Sequence, residues 1–398
     1  MAEFYIILRD RNRTRLDPAY RHAREGSTPP MTVPEDPDLL VESLEADERD
    51  DISHDPEVVE IAPVMRTRLI APVDIDDADV DDDVGKIWGV GAVGATQSQF
   101  TGAGTVAAVL DTGIDRTHPA FRGLELIEQD FSNSGSGDRN GHGTHCAGTF
   151  FGRDVAGKRI GVAPGVQKAL IGKVLTDTGG GGTDMLIRGI LWAAQSGADV
   201  ISMSLGFDFP GHNQTLIDQG WPADIAISRT LEAYRDNLRL LDTTMKIVRD
   251  MAALGSGSVV IAAAGNESRR NVNAANHVIA TAIPAAAEDV ISVGAIARDG
   301  TNYHVASFSN THPLVCAPGV AITSARAGGG LTTMSGTSMA CPHAAGVAAL
   351  WWESARATGF GAQGARFVHG KTLTSVRTDR LHPGIRVVDH GFGLVHAP

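Results

Sequence analysis

Cysteine is scarce in this sequence: Cys146, Cys316 and Cys341 are the only three in 398 residues. Three thiols cannot pair completely, and their spacing forms no disulfide framework, so a reducing compartment suits the chain. No stretch has enough consecutive apolar residues to span a membrane. Basic residues are outnumbered, 34 against 47 acidic, for a net charge of −13, which argues against a nucleic-acid partner. The opening segment holds only five apolar residues in a row, Phe4–Leu8, too few for a signal-peptide core, and no small-residue cleavage site follows. The expectation is a cytoplasmic protein, or a secreted one if the natural chain carries an export signal absent here. Internal repeats are lacking too. Glycine, in contrast, is abundant at 46 residues, which suits tight turns and close backbone approach to a ligand.

The chain divides at an acidic stretch. Residues 74–83 contain seven Asp in ten positions, a like-charge density that repels itself and stays solvated. We read it as a linker between a small α+β unit, 1–73, and a large domain, 84–398. In the small unit Phe4–Leu8, Val58–Ile61 and Leu69–Val73 look strand-like. In the large one, apolar strands (Thr105–Leu110, Lys168–Leu175, Val200–Leu205, Val259–Ala264, Val290–Ala297) alternate with helical patterns (His142–Phe151, Asp184–Ser196, Ala340–Trp352). That alternation predicts an α/β fold with a mainly parallel sheet covered on both faces. Active sites in such folds lie at the C-terminal ends of strands.

A helical insertion spans about 207–256. Within it Ile227, Leu231, Tyr234, Leu238, Leu241, Met245, Val248 and Ala252 step by threes and fours, an apolar helical stripe. It reads as a long surface helix, whole or broken in two, packed on the body of the protein. The other use of residues 224–254 is docking of a protein partner.

Four positions could carry chemistry. Ser338 stands in Gly-Thr-Ser-Met-Ala-Cys-Pro-His on a glycine-led turn that opens a helix. A serine needs a base and oxyanion donors to act as a nucleophile, and a helix N-terminus offers unpaired N–H groups. Pro342 in the first turn costs the helix little. Asp111 ends a buried strand, where a carboxylate can be held dry and aimed at an imidazole. His142, between glycines, is the natural base near neutral pH. Asn266 follows a strand and Gly265, and its amide could donate to an oxyanion.

Two rival chemistries compete for these residues. His142, His145 and Cys146 on one helix face could suggest zinc, but no second Cys/His pair at ligand spacing supports it. Asp111-Thr-Gly and Asp177-Thr-Gly resemble the paired signatures of aspartic proteases. Helical segments lie between the two copies, and the second runs into a glycine-rich edge at Gly179–Gly182, so we set that reading aside.

Taken together, Asp111-Thr-Gly-Ile-Asp, His142-Gly-Thr-His-Cys-Ala-Gly-Thr and Gly336-Thr-Ser338-Met-Ala-Cys-Pro-His resemble the three motifs of the subtilisin-like serine proteases, in the family's order. The resemblance covers about 105–398. It implies a three-layer α/β domain and a serine endopeptidase that works through an acyl-enzyme. Ser338 would attack, His142 would move the proton, and Asp111 would orient the imidazole. Asn266 would stabilise the oxyanion together with the Ser338 backbone N–H.

Substrate placement is implied as well. A peptide would add as an extended strand between Ser204, Leu205 and Gly206 on one side and Gly179, Gly180 and Gly181 on the other. Ala282 would floor the pocket for the residue before the cut, next to an Ile283–Pro284 bond that the family often shows as cis. Residues 1–73 resemble the family's inhibitory propeptide, so the protein would be a self-processing zymogen with its own N-terminal unit as partner. No cofactor is implied for catalysis. The family's structural calcium would need an acid where Ala120 stands, although Asp154 and its loop could supply a site. Cys316 and Cys341 read as buried packing residues, and Met339, beside the nucleophile, as a site where oxidation would lower activity. Two alternatives remain of another kind: a peptide-binding protein that keeps the triad, and a protease that waits for a partner.

Overall fold

The computed structural model describes residues 3–10, 38–74, 87–251, 257–361 and 364–398. Of the acidic stretch 74–83, only Asp74 falls within them.

The N-terminal unit is a three-stranded antiparallel sheet in the order β2-β1-β3, made of β1 (Glu3–Arg9), β2 (Asp38–Leu44) and β3 (Val58–Pro63), with the helix Ala46–Ser53. The apolar run of β1 has a physical reason. A strand points alternate side chains to opposite faces, so a continuous run buries both. Tyr5 and Ile7 join Leu44 and Val58 in a small core of the unit itself, whereas Ile6 and Leu8 join Ala62 and Met65 in a core shared with the large domain. Full burial of an Ile or Leu is worth about 1.5–3 kcal/mol, so this seam holds the two units together.

The seam's other side is the helix Ala223–Met251, a single element of 29 residues preceded by the helix Phe209–Asp218. Its buried face differs from the predicted stripe. Ile227 and Leu231 are exposed, while Ala226, Thr230, Ala233 and Asn237 are buried. Small residues line the N-terminal half because β3 packs against this helix. Asn237 Nδ2 donates to Pro63 O at 2.9 Å, and Arg49 of the small unit reaches Asp236 and Glu232. The stripe regains its predicted face at Leu241, Met245 and Val248, which are buried.

After β3 the chain runs as β4 (Arg66–Leu69), somewhat earlier than the strand expected at Leu69–Val73. The large domain follows with β5 (Val106–Asp111), β6 (Glu125–Asp130), β7 (Lys168–Lys173), β8 (Gly180–Gly182), β9 (Val200–Met203), β10 (Leu205–Phe207), β11 (Val259–Ala263), β12 (Val290–Asp299), β13 (Asn302–Val305), β14 (Val315–Pro318), β15 (Ile322–Ala325), β16 (Leu331–Met334), β17 (Val376–Arg377) and β18 (Leu394–Val395). The central sheet has the order β17-β18-β14-β12-β11-β9-β5-β7-β6, with β13 paired to β12. Only the β12–β13 and β17–β18 pairs are antiparallel. Apolar cores on both faces give the three-layer α/β architecture anticipated from the alternation.

The predicted strand Val200–Leu205 is two strands. β9 stays in the central sheet, Ser204 breaks the run, and β10 leaves it to pair with β4. The helix Thr337–Ala357 crosses beneath the sheet and is buried along most of its length. Its small residues permit this depth: a Cβ on Gly346 would come within 2.4 Å of Val162 Cβ.

Candidate active site

The C-terminal ends of β5, β9 and β11 converge on one edge of the sheet, and each supplies a polar residue there. Asp111 ends β5 with its side chain 1% exposed. Its Oδ1 accepts the Thr112 backbone N–H at 2.8 Å and lies 2.8 Å from His142 Nδ1, with Oδ2 at 3.0 Å. A carboxylate so held fixes the imidazole's orientation and leaves Nε2 as the nitrogen facing the reaction. His142 Nε2 is buried and makes no hydrogen bond among the described residues.

His142 is the first residue of the helix His142–Phe151. Gly143 must be glycine, since a Cβ there would lie 2.2 Å from Gly113 O and 3.2 Å from Asp111 Cβ. The helix start is tied by a residue the sequence reading missed. Asp138, nearly buried, accepts Gly141 N (2.8 Å), Thr144 N (2.8 Å), Thr144 Oγ1 (2.6 Å) and Thr112 Oγ1 (2.9 Å). Thr112 Oγ1 in turn accepts Gly143 N at 3.0 Å. This network clamps the end of β5 to the helix start and sets the spacing of Asp111 and His142. Its signal was an Asp just ahead of a helix that has no side-chain cap of its own.

Lys173, at the end of β7, fastens the other side. Its buried Nζ donates to Thr112 O at 2.9 Å, Gly137 O at 3.0 Å and Asp177 at 2.5 Å. The ammonium pulls the Asp177 carboxyl below its usual range. Asp177 is therefore an ion-pair partner and not the second carboxylate of an aspartic dyad.

Ser338 is the second residue of the helix Thr337–Ala357 and is fully buried. Asn266 stands across from it. Its Oδ1 accepts both Thr337 N (2.9 Å) and Thr337 Oγ1 (2.8 Å), which turns Nδ2 toward the cleft. Gly336 leaves room for this amide, since a Cβ would sit 2.9 Å from Asn266 Nδ2. Thr337 had drawn no attention in the sequence, yet it positions the amide.

The cleft is filled by the chain itself. β4 runs antiparallel between β10 and β8, with Leu205 opposite Leu69, Gly206 opposite Arg68 and Phe207 opposite Thr67 on one side. On the other side Gly180 faces Arg68, Gly181 faces Thr67 and Gly182 faces Arg66. Ile70 N donates to Ser204 O at 3.4 Å and Leu69 N to Gly179 O at 2.7 Å. Ser338 Oγ donates to Ile70 O at 2.9 Å, and Asn266 Nδ2 donates to Ala71 O at 2.9 Å. Past this point Val73 N donates to Ser335 O at 2.8 Å. The strand's burial is uneven: Thr67 and Ile70 are buried, Arg66 and Ala71 exposed. A Cβ on Gly206 would come into van der Waals contact with Ile70, 3.7 Å from its Cγ1. Ala282 precedes Ile283–Pro284, which is cis, and Phe207 N donates to Ile283 O at 3.2 Å.

Metal chemistry finds little support in these groups. Asp111, His142 and Cys146 lie close together. Burial and the Asp111 charge, however, hold the Cys146 thiol well above its ordinary range, and its Sγ donates to Ser338 O at 3.3 Å. His145 is turned away, with Nε2 3.0 Å from Ile322 O, and burial with His142 nearby pushes it down to about 3. The calcium position implied at Ala120 does not fit, because a fully buried methyl offers no ligand atom. Asp154 is exposed just ahead of a turn closed by Val155 and Lys158. Cys316 and Cys341 are free, buried thiols, raised by burial, Cys341 to about 11. Met339 is fully buried beside Cys146 and Ile322.

A buried Asp–His pair, a serine on a helix N-terminus and an amide aimed at a strand in the cleft define a serine hydrolase of polypeptides. The sequence pattern of the Subtilase family matches residues 102–381. An intracellular serine protease of Paenibacillus polymyxa is 35% identical over 272 residues, 66% of this chain and 71% of that protein. Subtilisin DY of Bacillus licheniformis is 35% identical over 257 residues, 63% and 77% of the two chains. M-protease of Shouchella clausii is 30% identical over 339 residues, 78% and 77%. The chain belongs to the subtilase family. It is a subtilisin-like serine endopeptidase, and its substrates are polypeptides. Among the described residues no helix is long and apolar enough to cross a membrane.

Proposed function

We propose that Ser338, His142 and Asp111 are the catalytic residues of this endopeptidase and that residues 1–73 are its self-processed inhibitor. Ser338 Oγ adds to the substrate carbonyl carbon while its proton passes to His142 Nε2. Asp111 holds the imidazole and stabilises its cation. The tetrahedral oxyanion is met by Asn266 Nδ2 and the Ser338 N–H. Collapse expels the amine, which takes the proton from His142. Water then repeats the sequence on the ester and frees Ser338.

One observation carries the reading. The segment Arg66–Ala71 lies as a strand between Ser204–Gly206 and Gly179–Gly181, with the Ile70 carbonyl on Ser338 Oγ. This register presents the Ile70–Ala71 bond to Ser338. Asn266 holds the carbonyl of Ala71 and not that of Ile70. The Ile70 carbonyl is therefore not on the oxyanion amide, a pose that suits an inhibitor better than a substrate under attack. The chain's units are then the inhibitor unit, 1–73, the linker, 74–83, and the protease, 84–398, and a cut at Ile70–Ala71 frees 1–70 while 71–73 stay with the linker. The helix Ala223–Met251 is the inhibitor's seat, and the partner at the insertion 224–254 is the chain's own first unit.

Three free, buried thiols suit a reducing compartment, as does the intracellular designation of the Paenibacillus relative. We assign the protein to the cytoplasm. Peptide mapping of purified protein after incubation tests the processing. A new N-terminus at Ala71 in the wild type, absent from Ser338→Ala, supports it. An uncut wild type that still digests casein contradicts it.

A further inference from the structure

The inhibitory strand carries a cation into the cleft. Arg68 is the third residue before the Ile70–Ala71 bond and pairs with Gly206 on one edge and Gly180 on the other. Its guanidinium lies between carboxylates from two different elements. Asp208 Oδ1 is 3.2 Å from one terminal nitrogen, and Glu267 Oε1 is 3.3 Å from the other.

Both acids are fixed without help from Arg68. Asp208 caps the helix Phe209–Asp218, where its side chain accepts Gly211 N at 3.2 Å. Glu267 follows Asn266, and its Oε2 accepts Asn310 Nδ2 at 2.8 Å. When the strand leaves, the two carboxylates therefore stay in place, facing each other without their cation. The adjoining positions have another character. Thr67 is buried with its hydroxyl unpartnered among the described residues, and Ile70 is buried. The acidic pair thus serves one position of a bound strand.

We infer that Asp208 and Glu267 form a cation-binding subsite, and that the enzyme prefers polypeptides with Arg or Lys as the third residue before the cleaved bond. The inference rests on the protease reading and on the register just given. Arg suits the subsite better than Lys, because its planar fork can reach both acids at once. All three groups are partly solvated, at 43% for Arg68, 25% for Asp208 and 36% for Glu267, so screening limits the gain. We expect about a three- to tenfold preference in kcat/KM for Arg over Ala at low salt.

The test uses three tetrapeptide anilides that copy the chain's own strand: Thr-Arg-Leu-Ile, Thr-Ala-Leu-Ile and Thr-Glu-Leu-Ile. They are compared on processed enzyme whose active sites are counted with a fluorophosphonate. The expected order is Arg, then Ala, then Glu, with the spread shrinking in 0.5 M salt. In Asp208→Asn/Glu267→Gln, which keeps the cap and the Asn310 contact, the ratio of Arg to Glu peptide should collapse toward one. Equal rates on all three peptides by labelled, casein-digesting enzyme would overturn the subsite and leave the protease standing. Failure to cleave any of them or casein would overturn both. Should the double variant misfold, the salt dependence of the wild-type ratio decides, and a salt-independent ratio rejects the inference.

Discussion

The two sides of the reaction centre stand in different states. On the Asp111–His142 side Asp111 holds Nδ1 while Nε2 has no partner among the described residues, with Asp138 and Thr112 clamping strand to helix and Lys173 bracing the back. On the Ser338–Asn266 side the same degree of order is spent on the chain's own segment, with Ser338 on the Ile70 carbonyl and Asn266 on that of Ala71. If occupancy of the cleft is what holds the enzyme off, as proposed, removing the strand should be enough to start it.

Losing the nucleophile should break the comparison most. Ser338→Ala leaves Asp111 and His142 clamped, yet casein hydrolysis should fall by about 10⁴-fold or more. The variant should keep the N-terminal unit attached and retain the wild-type circular dichroism. Casein hydrolysis above a tenth of the wild-type rate in a clean preparation would reject Ser338 as nucleophile.

Asn266→Ala attacks the same side more gently. It should lower kcat by about 10²–10³-fold with little change in KM, because the amide acts on charge that develops during reaction. A rise in KM alone would mean that Asn266 only holds the strand.

The proton-handling side can be probed by pH. Burial pushes His343 down to about 4, and burial with the nearby His142 pushes His145 down to about 3, from an ordinary 6.5. As pH falls below 6.5 the unfolded chain takes up these protons and the folded one does not. Stability should therefore drop by about 1.4 kcal/mol per pH unit for each histidine down to about pH 4. Urea unfolding of Ser338→Ala at pH 7, 6 and 5 reads this directly, and an unchanged midpoint would contradict it.

The smallest effect concerns the strand. Thr67 buries a hydroxyl that has no partner among the described residues. Thr67→Val removes that cost at equal size, and should slow release of the N-terminal unit several-fold, equivalent to about 1 kcal/mol. Release as fast as wild type, measured by mass against time, would show that the hydroxyl finds water.

What the sequence revealed tracks how local its causes are. Asp111, His142 and Ser338 were legible because each sits at a strand end or helix start with glycines that the packing demands. The helix His142–Phe151 was read to the residue for the same reason. Asp138 and Thr337 escaped notice because their work is to hold neighbours, and an Asp or Thr beside a turn has many ordinary uses. The helical stripe misled at Ile227 and Leu231. There the packing partner is β3, whose approach favours the small face of Ala226, Thr230 and Ala233. Residues 1–73 resemble an inhibitory propeptide, but which stretch enters the cleft could not be read. Arg66–Leu69 pairs with strands more than a hundred residues away, and short stretches of sequence carry no trace of such pairing.

The proposed role of the strand at Ile70–Ala71 is to silence this endopeptidase until it is cut. The most direct test follows intact mass and casein hydrolysis together in freshly purified wild-type protein. The account predicts that activity rises in step with cleavage between Ile70 and Ala71 and loss of the 1–70 fragment. Full activity before any cleavage would contradict it.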